Sequence, residues 1–234
     1  MTTIRNTLKT LAPALLLALS GAAAKADIID FVDLTEGTDQ LGESAWTTLE
    51  IAGSGFTMEI SASDSTDNDP DQFVYLDWNH AGLGVCSDAY NTGAHPNSGS
   101  NVCNPGSDDN VTTGETLYFT FDTDVVIEKI WLNNTHDPDR YIVDPEYVLI
   151  NGDQVVVPGN GYAPGNKYQG IYGSSADNFI GSWTVSAGDT FSLGFGDEQF
   201  YVSGMQIRAV PEPGTLALLG LGLLGLRAAR RQTA

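Results

Sequence analysis

Phe56-Thr57-Met58-Glu59-Ile60-Ser61-Ala62 alternates strictly, with Phe56, Met58, Ile60 and Ala62 on one side of an extended chain and Thr57, Glu59 and Ser61 on the other. Successive side chains of a strand point to opposite faces, so this stretch predicts a strand with one face on a core and the other in water. Further along the chain, Tyr147 to Ile150 and Gln154 to Val157 flank Asn151-Gly152. That dipeptide accepts the two positive φ angles of a type I′ turn and predicts a hairpin. Strand character recurs in Ile28 to Leu34, Thr47 to Ile51, Phe73 to Trp78, Thr116 to Phe121, Val125 to Leu132, Phe179 to Val185, Thr190 to Phe195 and Phe200 to Arg208. No stretch between them sustains a 3.6-residue apolar period, so helices are scarce. So many short strands predict an all-β, two-sheet antiparallel β-sandwich with jelly-roll or Greek-key connections. Trp46, Trp78, Trp131 and Trp183 all stand in strand-like contexts, which predicts core positions.

The composition agrees with this reading. The 234 residues are 41% hydrophobic and 9% aromatic, ordinary for a globular chain, and 26 Gly with 10 Pro favour strands and turns over long helices. Thirty Asp and Glu against ten Lys and Arg give a net charge of −20, which excludes nucleic acid as a partner.

Both ends read as signals rather than fold. Arg5 and Lys9 precede an apolar stretch from Leu11 to Leu19, and Ala24-Lys25-Ala26 follows. A charged n-region, an apolar h-region and an A-x-A site predict a signal peptide over residues 1–26, cut after Ala26. The competing reading, an amphipathic first helix, lacks a polar face, because Leu15, Leu16 and Leu17 are consecutive. At the other end Val210-Pro211-Glu212-Pro213-Gly214 leads into Leu216 to Leu226, in which seven of eleven residues are Leu, and then Arg227, Arg230 and Arg231. Thirteen helical residues span about 20 Å against a hydrocarbon core of about 30 Å, a marginal transmembrane helix. Terminal arginines place that end in the cytoplasm and the body across the inner membrane. The domains expected are therefore 1–26, an acidic ectodomain over 27–208, and a tail over 209–234. Within the ectodomain 29 carboxylates face four cations, Lys129, Arg140, Lys167 and Arg208, leaving −25. Divalent cations are the natural counterions for such self-repulsion.

The tail resembles the PEP-CTERM sorting signal of Gram-negative bacteria: Pro211-Glu212-Pro213, a Leu/Gly helix and an Arg cluster stand in that family's order. The resemblance implies recognition and cleavage near the tripeptide by an exosortase, with a membrane-anchored precursor before release to the surface. Two prolines keep the tripeptide extended ahead of the helix, which suits it to being gripped. Asp77-Trp78, Gly82 to Cys86 and Glu115 ahead of Leu117, Phe119 and Phe121 are more loosely similar to ectodomains of this family. This implies a β-sandwich in an organism that makes exopolysaccharide or biofilm.

Cys86 and Cys103 are the only cysteines, and an even pair in an exported chain predicts one disulfide. Asp67, Asp69 and Asp71 put carboxylates at alternate positions, as oxygen-ligand Ca²⁺ loops do, although Gln72 and Trp78 occupy positions where an EF-hand needs Gly and Glu. The expectation is a looser calcium site, with Asp108, Asp109 and Glu115 as a second cluster; the competing reading is a solvated acidic loop. Tyr162, Tyr168 and Tyr172 lie among Gly, Asn, Pro and Ser, where exposed rings could stack on sugars as in a lectin-type carbohydrate-binding module, or could fold back to close the sandwich. His80, His95 and His136 sit in turn-forming segments, and no nucleophile elbow, H-E-x-x-H or phosphate loop occurs, so no enzyme is expected. The function expected is an exported surface or extracellular-matrix protein with a structural or interaction role.

Overall fold

A computed structural model of the chain describes residues 25–36, 41–66, 72–78, 81–91, 101–104, 109–133, 147–156, 181–197 and 199–211. Lys25–Ala209 forms one compact unit. In chain order its elements are β1 (Asp27–Asp30), α1 (Phe31–Glu36), β2 (Ser44–Trp46), β3 (Leu49–Gly53), β4 (Phe56–Asp64), β5 (Phe73–Asp77), β6 (Gly82–Cys86), β7 (Ala89–Asn91), β8 (Asn101–Cys103), β9 (Glu115–Phe121), β10 (Val125–Asn133), β11 (Tyr147–Ile150), β12 (Asp153–Val156), β13 (Trp183–Val185), β14 (Thr190–Gly194) and β15 (Tyr201–Ala209). One sheet has the order β13-β10-β15-β6-β5-β2, with β1 also on β15; the other has β12-β11-β14-β9-β4-β3; β7 and β8 pair by themselves. The result is an antiparallel, all-β architecture of two main sheets.

Period-two patterning builds the core. Along β9, Glu115, Leu117, Phe119 and Phe121 are buried while Thr116, Tyr118 and Thr120 are not. Phe56, Met58 and Ile60 of β4 do the same in the neighbouring strand, and the rings of Phe56 and Phe121 meet edge-on at 5.9 Å. Trp183 of the first sheet lies 5.5 Å from Phe191 of the second, an aromatic contact that closes the sandwich. The Asn151-Gly152 hairpin forms as its sequence predicts: Ile150 pairs with Asp153, and both turn residues have positive φ, 50° and 84°.

β15 is the spine of the first sheet. β10 ladders one of its sides, and β1 and β6 share the other. Because β1 is antiparallel to β15, with Asp27 opposite Ile207, the first and last strands of the unit put its two ends side by side.

Two expectations need correction. Ile28 to Leu34 is not one strand: β1 stops at Asp30, whose Oδ1 accepts the backbone N–H of Asp33 at 2.9 Å and caps α1. Phe31 and Val32 are then buried as helix residues. A helix of six residues is too short to impose a 3.6-residue period on the sequence. Trp78 is not core: it follows the end of β5 and is 47% exposed, whereas Trp131 is buried and Trp46 and Trp183 are half-buried.

Gly84 in β6 marks a close approach. A Cβ there would lie 2.0 Å from the carbonyl oxygen of Asp109 and 2.9 Å from the Cα of Asn110, backbone atoms that cannot swing aside. Gly84→Ala is therefore expected to lower stability by about 3 kcal/mol, the upper part of the usual overpacking range. Urea unfolding checks it: the midpoint should fall with the slope unchanged.

Candidate functional site

The acidic residues nearest the core are held by hydroxyl and amide donors. Glu115 continues the inward phase of β9 and is 2% exposed. Its Oε2 accepts the N–H of Thr112 at 2.6 Å and the hydroxyl of Thr112 at 3.1 Å, and its Oε1 accepts the hydroxyl of Ser87 at 3.4 Å. Asp77 ends β5 and Asp109 precedes the Val111–Phe200 bridge; both are buried and both face the hydroxyl of Tyr201. Tyr201 donates that hydroxyl to Asp109. Burial, then the charges of Asp77 and Asp109, hold the Tyr201 hydroxyl protonated far above the usual tyrosine range. Tyr75 is held up in the same direction by burial and by Glu43, to which it donates a 2.6 Å hydrogen bond. Beside them the side-chain oxygen of Asn110 is buried with no hydrogen-bond partner among the described residues.

This network satisfies carboxylates internally. Of the expected second calcium cluster, Asp109 accepts from Tyr201 and Glu115 accepts from Thr112 and Ser87, and Asp108 lies outside the described residues. Among the described residues no group of three or more His, Cys, Asp or Glu is arranged to hold a metal. Asp64, at the entry to the acidic loop, folds its Oδ1 back onto the N–H and hydroxyl of Thr66, each at 2.7 Å. Asp67, Asp69 and Asp71 lie outside the described residues, as do Tyr162, Tyr168, Tyr172 and the three histidines.

The Cys86–Cys103 disulfide is present, with Cα atoms 5.7 Å apart. It joins the end of β6 to β8 and packs with Ala45 and Tyr75, with Phe73 and Ala89 alongside. Sequence reasoning missed Asp77 and Tyr201. For Glu115 the signal was available, because it stands in phase with Leu117, Phe119 and Phe121.

At the other end of the chain, β15 stops at Ala209, and Pro211 is exposed two residues later. Residues 209–232 match the PEP-CTERM protein-sorting motif. The chain carries a PEP-CTERM sorting signal. The signal implies export and sorting by an exosortase-type system, with processing by that enzyme. Of the tripeptide, Pro211 is described and Glu212 and Pro213 lie outside the described residues. The PEP-CTERM match begins at the last residue of β15, so signal and sheet share Ala209. No helix among the described residues is long and apolar enough to cross a membrane, and the Leu-rich part of the signal lies outside them. No curated protein and no solved structure shows a significant match to the chain.

Proposed function

We propose that this protein is exported through a signal peptide over residues 1–26, held in the inner membrane by its PEP-CTERM tail, and released by cleavage near Pro211-Glu212-Pro213 to the cell surface or extracellular matrix. There the acidic β-sandwich has a structural or interaction role, in a setting of exopolysaccharide or biofilm, and acts without catalysis. The observation that carries this reading is the sorting motif following directly on the last strand of a compact acidic body. A net charge of −25 over residues 27–208 suits a matrix component that must stay soluble and take up cations from its surroundings.

Mass spectrometry of the protein from its native host tests the reading. The surface form should lack everything beyond the tripeptide, and Glu212→Ala should accumulate a precursor that keeps Arg230 and Arg231. A surface-exposed wild-type form that retains both arginines would overturn it. A glycan array probed with the processed protein separates a lectin from a matrix component, which should show no selective glycan.

A further inference from the structure

Asn151 does more in the β11–β12 hairpin than tolerate a positive φ. Leu149 and Ile150 pair with Gly194 and Leu193, so Asn151 comes next, opposite Ser192 of β14. It donates its N–H to the Ser192 carbonyl at 3.0 Å, and the Ser192 N–H donates to the Asn151 side-chain Oδ1 at 2.9 Å. Residues directly opposite in an antiparallel ladder normally exchange both bonds through their main chains. Here the side-chain amide stands in for the Asn151 carbonyl, and the ladder gains a rung at the mouth of the turn.

That amide carries reactive chemistry, because Gly152 follows it. The Gly152 nitrogen can attack Cγ of the preceding asparagine; ammonia leaves with the nitrogen's proton, and a five-membered succinimide remains. Water then opens the ring at one of its two carbonyls, giving an aspartate or an isoaspartate whose main chain runs through Cβ. No co-reactant other than water is needed. Glycine brings no side chain to hinder the attack, and a Cβ at this position would meet nothing within 4 Å. Both residues are exposed, so water reaches the ring.

The folded turn blocks the first step. The ring closes only when the Gly152 nitrogen eclipses Cβ about the Cα–C bond of Asn151. The φ angles of 50° and 84° are those of a type I′ turn, whose first central residue has ψ of about +30°, the mirror image of type I. For an L-residue that ψ turns the nitrogen nearly opposite to Cβ, out of reach of Cγ. The Ser192 N–H meanwhile holds the amide oxygen. Rotating Asn151 into the reactive geometry therefore breaks the turn and gives up the rung to β14.

We propose that Asn151 is a deamidation site gated by its own hairpin: the amide survives while the turn is docked on β14 and is lost when β11–β12 undocks. The product adds a negative charge to a body that already carries −25, and an isoaspartate lengthens the main chain where a two-residue turn must close. Asn151 thus records time spent undocked.

The experiment incubates protein isolated from its native host in mildly alkaline buffer, folded or in urea above its unfolding midpoint, and maps the 151–152 peptide by mass spectrometry. The unfolded chain should deamidate there, and the folded chain at least about tenfold more slowly, the factor set by how seldom the hairpin opens. Val148→Ala, which trims a buried side chain of β11, should speed the folded-state reaction; Gly84→Ala, in the other sheet, should not at an equal loss of Tm. Amide exchange at Ser192 checks the gate in the unaltered chain: deamidation should be slowed by at least as much as that exchange. Equal rates in folded and unfolded protein, or weaker protection than the Ser192 amide shows, would overturn the gate. Equal acceleration by Gly84→Ala would do the same, because global unfolding would then supply the reactive form. An Asn151 that stays intact in the unfolded chain would overturn the site itself.

Discussion

Tyr201→Phe should lower the stability of the processed protein by about 2–3 kcal/mol at neutral pH, out of proportion to one oxygen atom. The hydroxyl is fully buried and donates to Asp109, which is itself 6% exposed, with Asp77 facing the same oxygen. Removing the donor leaves a buried carboxylate short of a partner, and that desolvation penalty exceeds the net worth of an ordinary hydrogen bond. Asp109→Asn introduced together with Tyr201→Phe should cost less than the sum of the two single changes, because both remove the same contact; a double-mutant cycle reads the coupling. Alkali offers an independent check. Tyr201 and Tyr75 are both held protonated above the usual range in the folded state, whereas an unfolded tyrosine ionises near pH 10. Above about pH 10 the unfolded chain has lost protons that the native state keeps, so the unfolding free energy falls as pH rises, by about 1.4 kcal/mol per unit for each such tyrosine. The stabilisation is complete below about pH 10 and lost above it. Urea unfolding between about pH 9 and 11 should show a steep decline that is about half as steep in Tyr201→Phe; identical slopes would remove Tyr201 from the account.

The two features most easily read in the sequence were those whose physics is local. Alternation in Phe56 to Ala62 needs only the strand period, and Asn151-Gly152 needs only tolerance of positive φ; both appear where expected. The sorting tail was legible for the same reason, since its three parts lie within about 25 consecutive residues. What escaped was set by tertiary context. The β1-to-α1 switch depends on Asp30 capping a single turn and a half, too short for a period to register. Trp78 follows a strand of buried residues yet stands outside the core, because the chain leaves the sheet at Asp77. Asp77 and Asp109 are carboxylates that a rule of polar-outside assigns to solvent. Their burial becomes intelligible only once β5, the 109–111 segment and Tyr201 are brought together, and no spacing in the chain announces that meeting.

Charge organises the body in a way that composition alone does not reveal. Of its four cations, Arg140 and Lys167 lie outside the described residues, Lys129 sits with its Nζ 5.9 Å from the centre of the Trp131 ring, and Arg208 is bound to Glu128. Carboxylates in this fold therefore draw mainly on neutral donors. Asp122 accepts the N–H of Thr57 at 2.7 Å, Asp124 that of Ala187 at 2.8 Å, and Asp197 that of Tyr147 at 2.8 Å. Asp122 and Asp197 each tie a loop to a strand, and Asp124 ties the β9–β10 turn to the β13–β14 turn. Acidic side chains thus serve as cross-links between connections in a body that carries a large excess of negative charge.

Loss of the Cys86–Cys103 disulfide should have the second large effect, and its distribution should be uneven. On the chain-entropy account a bridge with a sequence separation of 17 contributes about 3 kcal/mol, so Cys86→Ala with Cys103→Ala should lower global stability by that order. The fold suggests a more local expression as well. β7 and β8 pair only with each other and join neither main sheet, and a lone two-stranded hairpin is marginally stable in water. Its ties to the body include the bridge to the end of β6 and the small apolar cluster of Ala45, Tyr75 and the two sulfurs, with Ala89 and Phe73 beside it. Without the covalent tie, that cluster and the hydrogen bond between the Cys103 backbone and the Tyr75 hydroxyl must hold β8. Amide exchange at Ala89–Asn91 and Asn101–Cys103 should then speed far more than at β9 or β15, at denaturant concentrations well below the global midpoint. Uniform acceleration across all strands would assign the disulfide a purely global role. Unchanged exchange in β7 and β8 would show that the Ala45–Tyr75 cluster suffices, and would make the bridge dispensable for holding the hairpin.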